Sequence, residues 1–333
     1  MIEADISVVV PSFNRAAMLP ETLDAILAQS GPPLEVIVVD DGSTDGTEAM
    51  LAERFAGRVQ AIRIENSGEL VARNTGLRVA RGRLVAFCDS DDVWQPGFLA
   101  AMAALWRAEP HTRVGYADFT ILRDGRHEAT RKFDMAPTDY WQGLRIVAEC
   151  GLAVFDVPIV DRLIRFQPFF PSCMVVQRDF MLGLGGWDES VGRTVGIDFA
   201  TTLLLAEHTP FGVVRQPLVA IRKHAGNYSA DVEAMNLGDA TILEHVLARR
   251  ASLKPFASLI ADSVARRRAQ ALDIAFARQD HAAVRRIFAM LPPGQQDWAL
   301  RLKARVGDWP PPMRQSAART LLALGTLRGR VSL

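Results

Sequence analysis

Four short apolar runs near the start of the chain restrict its fold more than any other feature: Ile6–Val10, "LEVIVVDDGS", "VQAIRIEN" and "RLVAFCDS". Each is followed by a stretch with helical spacing. "AAMLPETLDAILAQ" places Leu19, Leu23, Ile26 and Leu27 on one face, and "TDGTEAMLAERFA", "GELVARNTGLRVA" and "PGFLAAMAALW" follow the other three runs. Nearly continuous apolar strands alternating with helices predict a parallel sheet covered on both faces. The first strand is expected to end at Pro11, because proline has no N–H to give a ladder.

In such sheets ligands bind beyond the carboxyl ends of the strands. Polar residues stand at every predicted end. Ser12, Asn14 and Arg15 follow the first strand, Asp40 and Asp41 the second, Asn66 the third, and Asp89, Ser90, Asp91 and Asp92 the fourth. That recurrence predicts a site there.

The densest group is "FCDSDDVWQPGF". Like charges this close repel and raise each other's pKa, so they call for a counterion or a capping role. Side chains alternate along an extended segment, which puts Asp89 and Asp91 on one side, suited to a hard cation that phosphates also hold. The competing reading has Ser90 or Asp92 capping the next helix. At "VVDDGSTDGT", a carboxylate can accept a uracil imide N–H or ribose hydroxyls, or it can close an Asx-turn with Ser43, Thr44 and Asp45 capping the helix. Arg73 either neutralises phosphate beside Asn74 or is a solvated surface arginine. Asp198, opening "IDFATTLLLAEH", is a general base or a partner of the helix dipole. His224 in "RKHAGNYS" is a metal or phosphate contact, or an ordinary surface histidine.

The whole chain sets the frame. Its 333 residues allow one large α/β core and a smaller accessory region, and a formal net charge of zero argues against a nucleic-acid partner. The charge is uneven: from Asp231 onward 16 Lys and Arg face 9 Asp and Glu, against 22 and 29 before it. Residues from about Asp118 to Phe170 are less periodic and read as substrate-shaping loops and short helices with Tyr140, Trp141 and Phe155. Past about Ser229, "LARRASLKPFASLIADSVARRRAQALDIAFARQDHAAVRRIFAML" reads as two or three amphipathic helices. Cys88, Cys150 and Cys173 lack any CxxC spacing and read as reduced thiols. The acidic start "MIEADISVVVPSF" does not look like a signal peptide, and no run reaches about 18 apolar residues, so a cytoplasmic protein is expected. The last segment sets Leu321, Leu322, Leu324 and Leu327 among Arg314, Arg319, Arg328 and Arg330. It suits peripheral contact with the inner face of an anionic membrane, or packing on the protein's own helices or a second subunit.

In order, "SVVVPSFNR", "VIVVDDGSTDGT", "ENSGELVARNTGL", "GRLVAFCDSDD", "GGWDES" and "RKHAGN" closely resemble the family 2 glycosyltransferases of GT-A fold, over about residues 5–229. The resemblance implies a Rossmann-like, mostly parallel sheet flanked by helices, with a glycosyltransferase domain at 1–230 and a helical region at 231–333. Within the domain the nucleotide-sugar half would be 1–117 and the acceptor half 118–230. It also implies a UDP- or dTDP-linked sugar donor, a Mn²⁺ or Mg²⁺ ion, inversion at the anomeric carbon, and a glycan or lipid-linked acceptor.

Residue by residue, Pro11, Ser12, Asn14 and Arg15 would line the nucleotide pocket. Asp40 would contact the base with Asp41 beside it, and Asn66, Arg73, Asn74, Asp89 and Ser90 would lie along nucleotide and sugar. Asp91 would bind the metal, with Asp89 and His224 as further ligands, and Asp198 would be the base. One departure stands out. Ile197 replaces the family's Glu before that aspartate, and Ala200, Thr201 and Thr202 replace acidic and aromatic residues. Asp188 or Glu189 is then the alternative base. A donor-binding protein without catalysis, or a nucleotidylyltransferase, is the alternative function.

Overall fold

The computed structural model describes residues 5–224 and 231–310, with Met313 and Thr320. Two compact units divide the chain: Met1–Gly192 with Ala200–Ala225, and Arg193–Phe199 with Gly226–Leu333.

The first unit is built on one sheet. Its strands are β1 (Ile6–Ser12), β2 (Glu35–Asp40), β3 (Gln60–Arg63), β4 (Leu84–Phe87), β5 (Val93–Trp94), β6 (Val114–Arg123), β7 (Arg126–Arg131), β8 (Arg145–Ala148), β9 (Leu152–Phe155), β10 (Met174–Gln177) and β11 (Phe211–Lys223). They lie in the order β3-β2-β1-β4-β10-β6-β11-β9-β8, with β5 also on β11 and β7 also on β6. The first four are mutually parallel, as the apolar runs predict, and β10 runs antiparallel between β4 and β6.

Helices α1 (Leu19–Leu27), α2 (Thr47–Arg54), α3 (Glu69–Val79) and α4 (Phe98–Ala108) follow the early strands, and α5 (Val160–Arg165), α6 (Arg178–Gly183) and α7 (Asp198–Leu205) come later. Proline opens α1 from within its first turn, where no N–H is needed. Gly76 lets α3 lie against β1, since a Cβ there would fall 2.3 Å from the Val9 side chain.

Three local expectations change. β1 runs through Pro11 to Ser12, because its ladder to β4 stops at Val9 and the missing N–H costs no bond on that side. β3 is the sheet edge and mostly exposed, which explains the Gln60 and Arg63 within its short apolar pattern. Residues 118–170 hold the end of β6 and then β7, β8 and β9 between their loops and the short helix α5, and several of their aromatics are core. Tyr140 and Phe155 are buried, and Trp141 packs its ring against Phe133 at 4.7 Å and Tyr140 at 4.8 Å.

The second unit is helical, with α8 (Val232–Arg249), α9 (Ala257–Ala277), α10 (His281–Ala289) and α11 (Trp298–Val306). Aspartates 231, 280 and 297 cap α8, α10 and α11 through their side chains. Ala271, Leu272, Phe276, Val284 and Ile287 form its core, and Lys303 meets Asp273 inside it at 2.7 Å. The stretch beginning "LARRASL" thus holds the end of α8, then α9 and α10. Among the described residues no helix is long and apolar enough to cross a membrane. The leucines and arginines between Arg314 and Arg330 lie outside the described residues.

Candidate functional site

Strand register assembles the polar ends. Ser12 pairs with Asp40 across β1 and β2, and Asp40 pairs with Arg63 across β2 and β3. Ser12 Oγ is buried with no hydrogen-bond partner among the described residues. Asn14, at φ 51°, ties two loops together: its N–H donates to Ser43 Oγ at 2.8 Å, and its Oδ1 accepts the Thr44 N–H at 2.8 Å. Asp40 accepts the Ser43 N–H at 2.9 Å and holds Arg63 at 2.7 Å. Sequence reasoning missed Arg63, although a lone arginine ending an apolar strand was its signal.

Asp41 and Asn66 are bonded to each other. Asp41 accepts the N–H groups of Ser67 at 2.7 Å and Gly68 at 2.9 Å, the latter being the residue before α3. Asn66 Nδ2 donates to the Asp41 carbonyl at 3.0 Å. Gly42 between them has φ 77°, and a Cβ there would sit 3.0 Å from the Asn66 nitrogen. The helix-capping reading of the loop is not met: α2 starts after left-handed Gly46 with no side-chain cap, Ser43 and Thr44 bond Asn14, and Asp45 bonds the N–H and hydroxyl of Thr47.

The carboxylates after β4 have four kinds of partner. Arg73, fully buried on α3, bridges Glu69 and Asp89, meeting Asp89 at 2.6 Å. The surface-arginine alternative is therefore excluded. Asp91 faces two cationic or basic groups, Arg15 Nε at 3.4 Å and His224 Nε2 at 3.0 Å. Asp92 accepts the Ser172 hydroxyl at 2.5 Å and the Arg222 N–H at 2.9 Å. It does not cap the next helix, because β5 intervenes and α4 begins after left-handed Gly97. Burial, then the charges of Asp91 and Asp89, push the Asp92 carboxyl well above the usual carboxylate range. Ser90 is buried.

β11 supplies the opposite wall. It pairs with β5 at Val219–Trp94 and Ala220–Val93, which brings Arg222 to Asp92 and His224 to Asp91. Arg222 also donates to the Asp91 carbonyl at 2.8 Å and to Glu21 at 2.6 Å. Arg222 and Ser172 escaped the sequence reading, since only the sheet brings them to "DSDD".

No group of three His, Cys, Asp or Glu side chains is preassembled for a metal among the described residues. Asp91 and His224 nevertheless converge, and an oxygen with an imidazole nitrogen suits a cation whose other ligands come from phosphate and water. Asp89 is turned toward Arg73 instead.

Asn74 is committed inside the protein. Its Nδ2 donates to the Trp187 carbonyl at 2.9 Å and to Glu189 at 2.6 Å, and its Oδ1 accepts the Trp187 N–H at 2.8 Å. Of the alternative bases, Glu189 is therefore held by Asn74, while Asp188 accepts the Ser190 hydroxyl at 2.6 Å. Thr201, one of the departures from the family pattern, accepts the Asp188 N–H at 2.9 Å, and Ala200 and Thr202 are buried. Asp198 opens α7 and belongs to the second unit, on the segment Arg193–Phe199.

Residues 7–163 match the model of the family described as Glycosyl transferase family 2. They are a family 2 glycosyltransferase domain. Curated relatives agree: TuaG of Bacillus subtilis is 46% identical over 93 residues, 27% of this chain and 37% of its own. WfgD of Escherichia coli, named as a UDP-Glc:alpha-D-GlcNAc-diphosphoundecaprenol beta-1,3-glucosyltransferase, is 29% identical over 54% of this chain and 68% of its own. The glycosyltransferase match thus spans little more than a third of TuaG. Among solved structures, S. aureus TarS 1–349 in complex with UDP-GlcNAc superposes with a TM-score of 0.59 at 18% identity, over 97% of this chain and 92% of that one. The mannosyltransferase PcManGT of Pyrobaculum calidifontis, in complex with GDP-Man and Mn²⁺, gives 0.55 at 20% identity, over 97% and 87%. The glycosyltransferase domain therefore has the GT-A fold.

Proposed function

We propose that this protein transfers a sugar, with inversion, from a UDP- or dTDP-linked donor to an acceptor hydroxyl in the assembly of a bacterial surface polysaccharide. One observation carries the reading: two carboxylates, two arginines and an imidazole gather at the end of β4, around Asp89 and Asp91. A leaving nucleoside diphosphate builds negative charge, and that cluster offers the cations to balance it. A divalent ion held by Asp91 and His224 would add Lewis-acid stabilisation of that charge. Ser12 and Asp40 would meet the nucleoside, with Arg15 beside the phosphates. Asp198 would take the acceptor's proton. The complexes of TarS with UDP-GlcNAc and of PcManGT with GDP-Man and Mn²⁺ support a nucleotide-sugar donor and a metal. WfgD, named for a diphosphoundecaprenol-linked acceptor, supports a lipid-linked acceptor.

The second reading, a donor-binding protein without turnover, rests on Ile197 and the buried Ala200, Thr201 and Thr202. Two measurements separate them. A nucleotide-sugar panel screened by thermal shift with Mn²⁺ identifies the donor by the stabilisation a bound ligand confers. Asp198→Asn should then lower release of nucleoside diphosphate from that donor by about 10²–10⁴-fold while leaving donor affinity intact. Near-normal release from the variant would reject Asp198 as base, and no release from the wild type would favour the binding protein.

A further inference from the structure

The turn Gly185–Gly186–Trp187 lies far from "DSDD" in sequence, and the function above gives it no role. Its residues are nonetheless gripped by two consecutive residues of α3. Asn74 pairs with both backbone groups of Trp187, at 2.8 Å to the N–H and 2.9 Å to the carbonyl. A side-chain amide here replaces a neighbouring strand, which fixes the turn in place. Gly186 has φ +80°, and a Cβ on it would lie 2.4 Å from Asn74 Oδ1, so only glycine admits this approach.

The ring so fixed has two neighbours. Its edge contact with Phe87, 5.1 Å between centroids at 87°, seats it against the last residue of β4. The Arg73 guanidinium lies over its face, 4.7 Å from the centroid. Arg73 uses one nitrogen to reach both Glu69 and Asp89. Glu69 sits on the first turn of α3 with its side chain 39% exposed, so two carboxylates compete for one arginine. The negative face of an indole attracts a cation, more strongly where water is excluded, and Trp187 is 2% exposed.

We infer that Trp187 is a positioning residue for the donor site: clamped by Asn74, it holds Arg73 against Asp89 and so sets the carboxylate at the head of the nucleotide-diphosphate cluster. The inference rests on the reading of that cluster as a donor site. Without the ring, Arg73 is free to turn toward Glu69 alone, and Asp89 loses its fixed partner.

Calorimetric titration of the full chain with UDP and with dTDP, in Mn²⁺ and in EDTA, tests it. Trp187→Leu should weaken nucleotide affinity in Mn²⁺ by about 10–100-fold, the range for loss of an outer-shell partner. Trp187→Phe keeps an aromatic face and should stay within about threefold of wild type. Gly186→Ala, which displaces the ring without removing it, should resemble Trp187→Leu and serves if that variant does not fold. Near-UV circular dichroism and the melting temperature report folding separately. Wild-type affinity in folded Trp187→Leu or Gly186→Ala, or equal losses in the leucine and phenylalanine variants, would overturn the positioning role. A wild type that binds neither nucleotide would instead reject the donor reading itself.

Discussion

The loops after β2 and β4 look alike in sequence, "DDGSTD" and "DSDD", yet the structure uses their acids differently. In the first, Asp41 and Asp45 accept backbone N–H groups, two on Asp41 from Ser67 and Gly68, and on Asp45 from Ala16 and Thr47. In the second, Asp89 and Asp91 face side-chain cations and an imidazole. Backbone donors are fixed by the fold and lock a carboxylate into a structural role. Arginine and histidine side chains can exchange one anion for another, so a carboxylate paired with them can share its partners with a ligand. Asp40 stands between, bonded to the Ser43 N–H and to half-exposed Arg63. Partner type, more than acidity or position at a strand end, separates the two loops.

The largest effect that would break this contrast is on metal-dependent binding. Asp91→Ala should abolish the Mn²⁺-dependent part of UDP or dTDP affinity, a loss larger than the roughly 10–100-fold typical of an outer-shell partner. The EDTA-resistant part and the melting temperature should change little. Calorimetry giving equal affinities in Mn²⁺ and EDTA for the wild type would place Asp91 with the structural acids.

Next in size is the mirror experiment on the other loop. Asp41→Ala strands two N–H groups near the start of α3, and the loss should be about 1–3 kcal/mol of stability in urea unfolding. Nucleotide affinity per folded molecule should stay within about twofold. A large affinity loss with unchanged stability would move Asp41 into the ligand site.

Much of the fold could be read from sequence because strands buried on both faces leave a plain signature. β1 and β2 carry the apolar cores Val8–Val10 and Val36–Val39, β4 is apolar along its whole length, and their parallel order follows from the helices between them. The segment holding β7 to β9 is hard to read because β7 is polar and exposed, and the aromatics around it suggest a binding surface as readily as a core. Only packing decides, as it does for Tyr140 and Phe155. For the site, sequence brought the strand ends to attention, and local spacing sufficed for that. What it could not supply were the partners. Whether Asp41 meets Gly68, Arg73 meets Asp89, or Asn74 meets Trp187 depends on contacts 16 to 113 residues apart. The spacing of "DSDD" therefore left metal binding and capping open, and the pairing of β5 with β11 removed Asp92 as a cap.

The smallest expected effect is the pH dependence of Asp45, and it probes the contrast from the structural side. Burial opposes the charge on Asp45, but bonds from the Thr47 hydroxyl, the Ala16 N–H and the Thr47 N–H outweigh it and hold the carboxyl below its ordinary value. A lowered folded pKa means that the folded state binds the proton less readily than the unfolded one. The stabilisation is then complete above the unfolded value of about 3.9 and fades as the pH falls through the folded value. Asp45→Asn keeps the accepting oxygen and removes the charge, so subtracting its unfolding free energy from that of wild type cancels every other titrating group the two share. Urea unfolding from pH 7 to pH 3 should give a difference that is flat above about pH 5 and shrinks below pH 4. A difference independent of pH would assign the whole effect to hydrogen-bond geometry. In that case the acids of this loop are held by shape alone, and charge matters only where Asp89 and Asp91 meet side-chain partners.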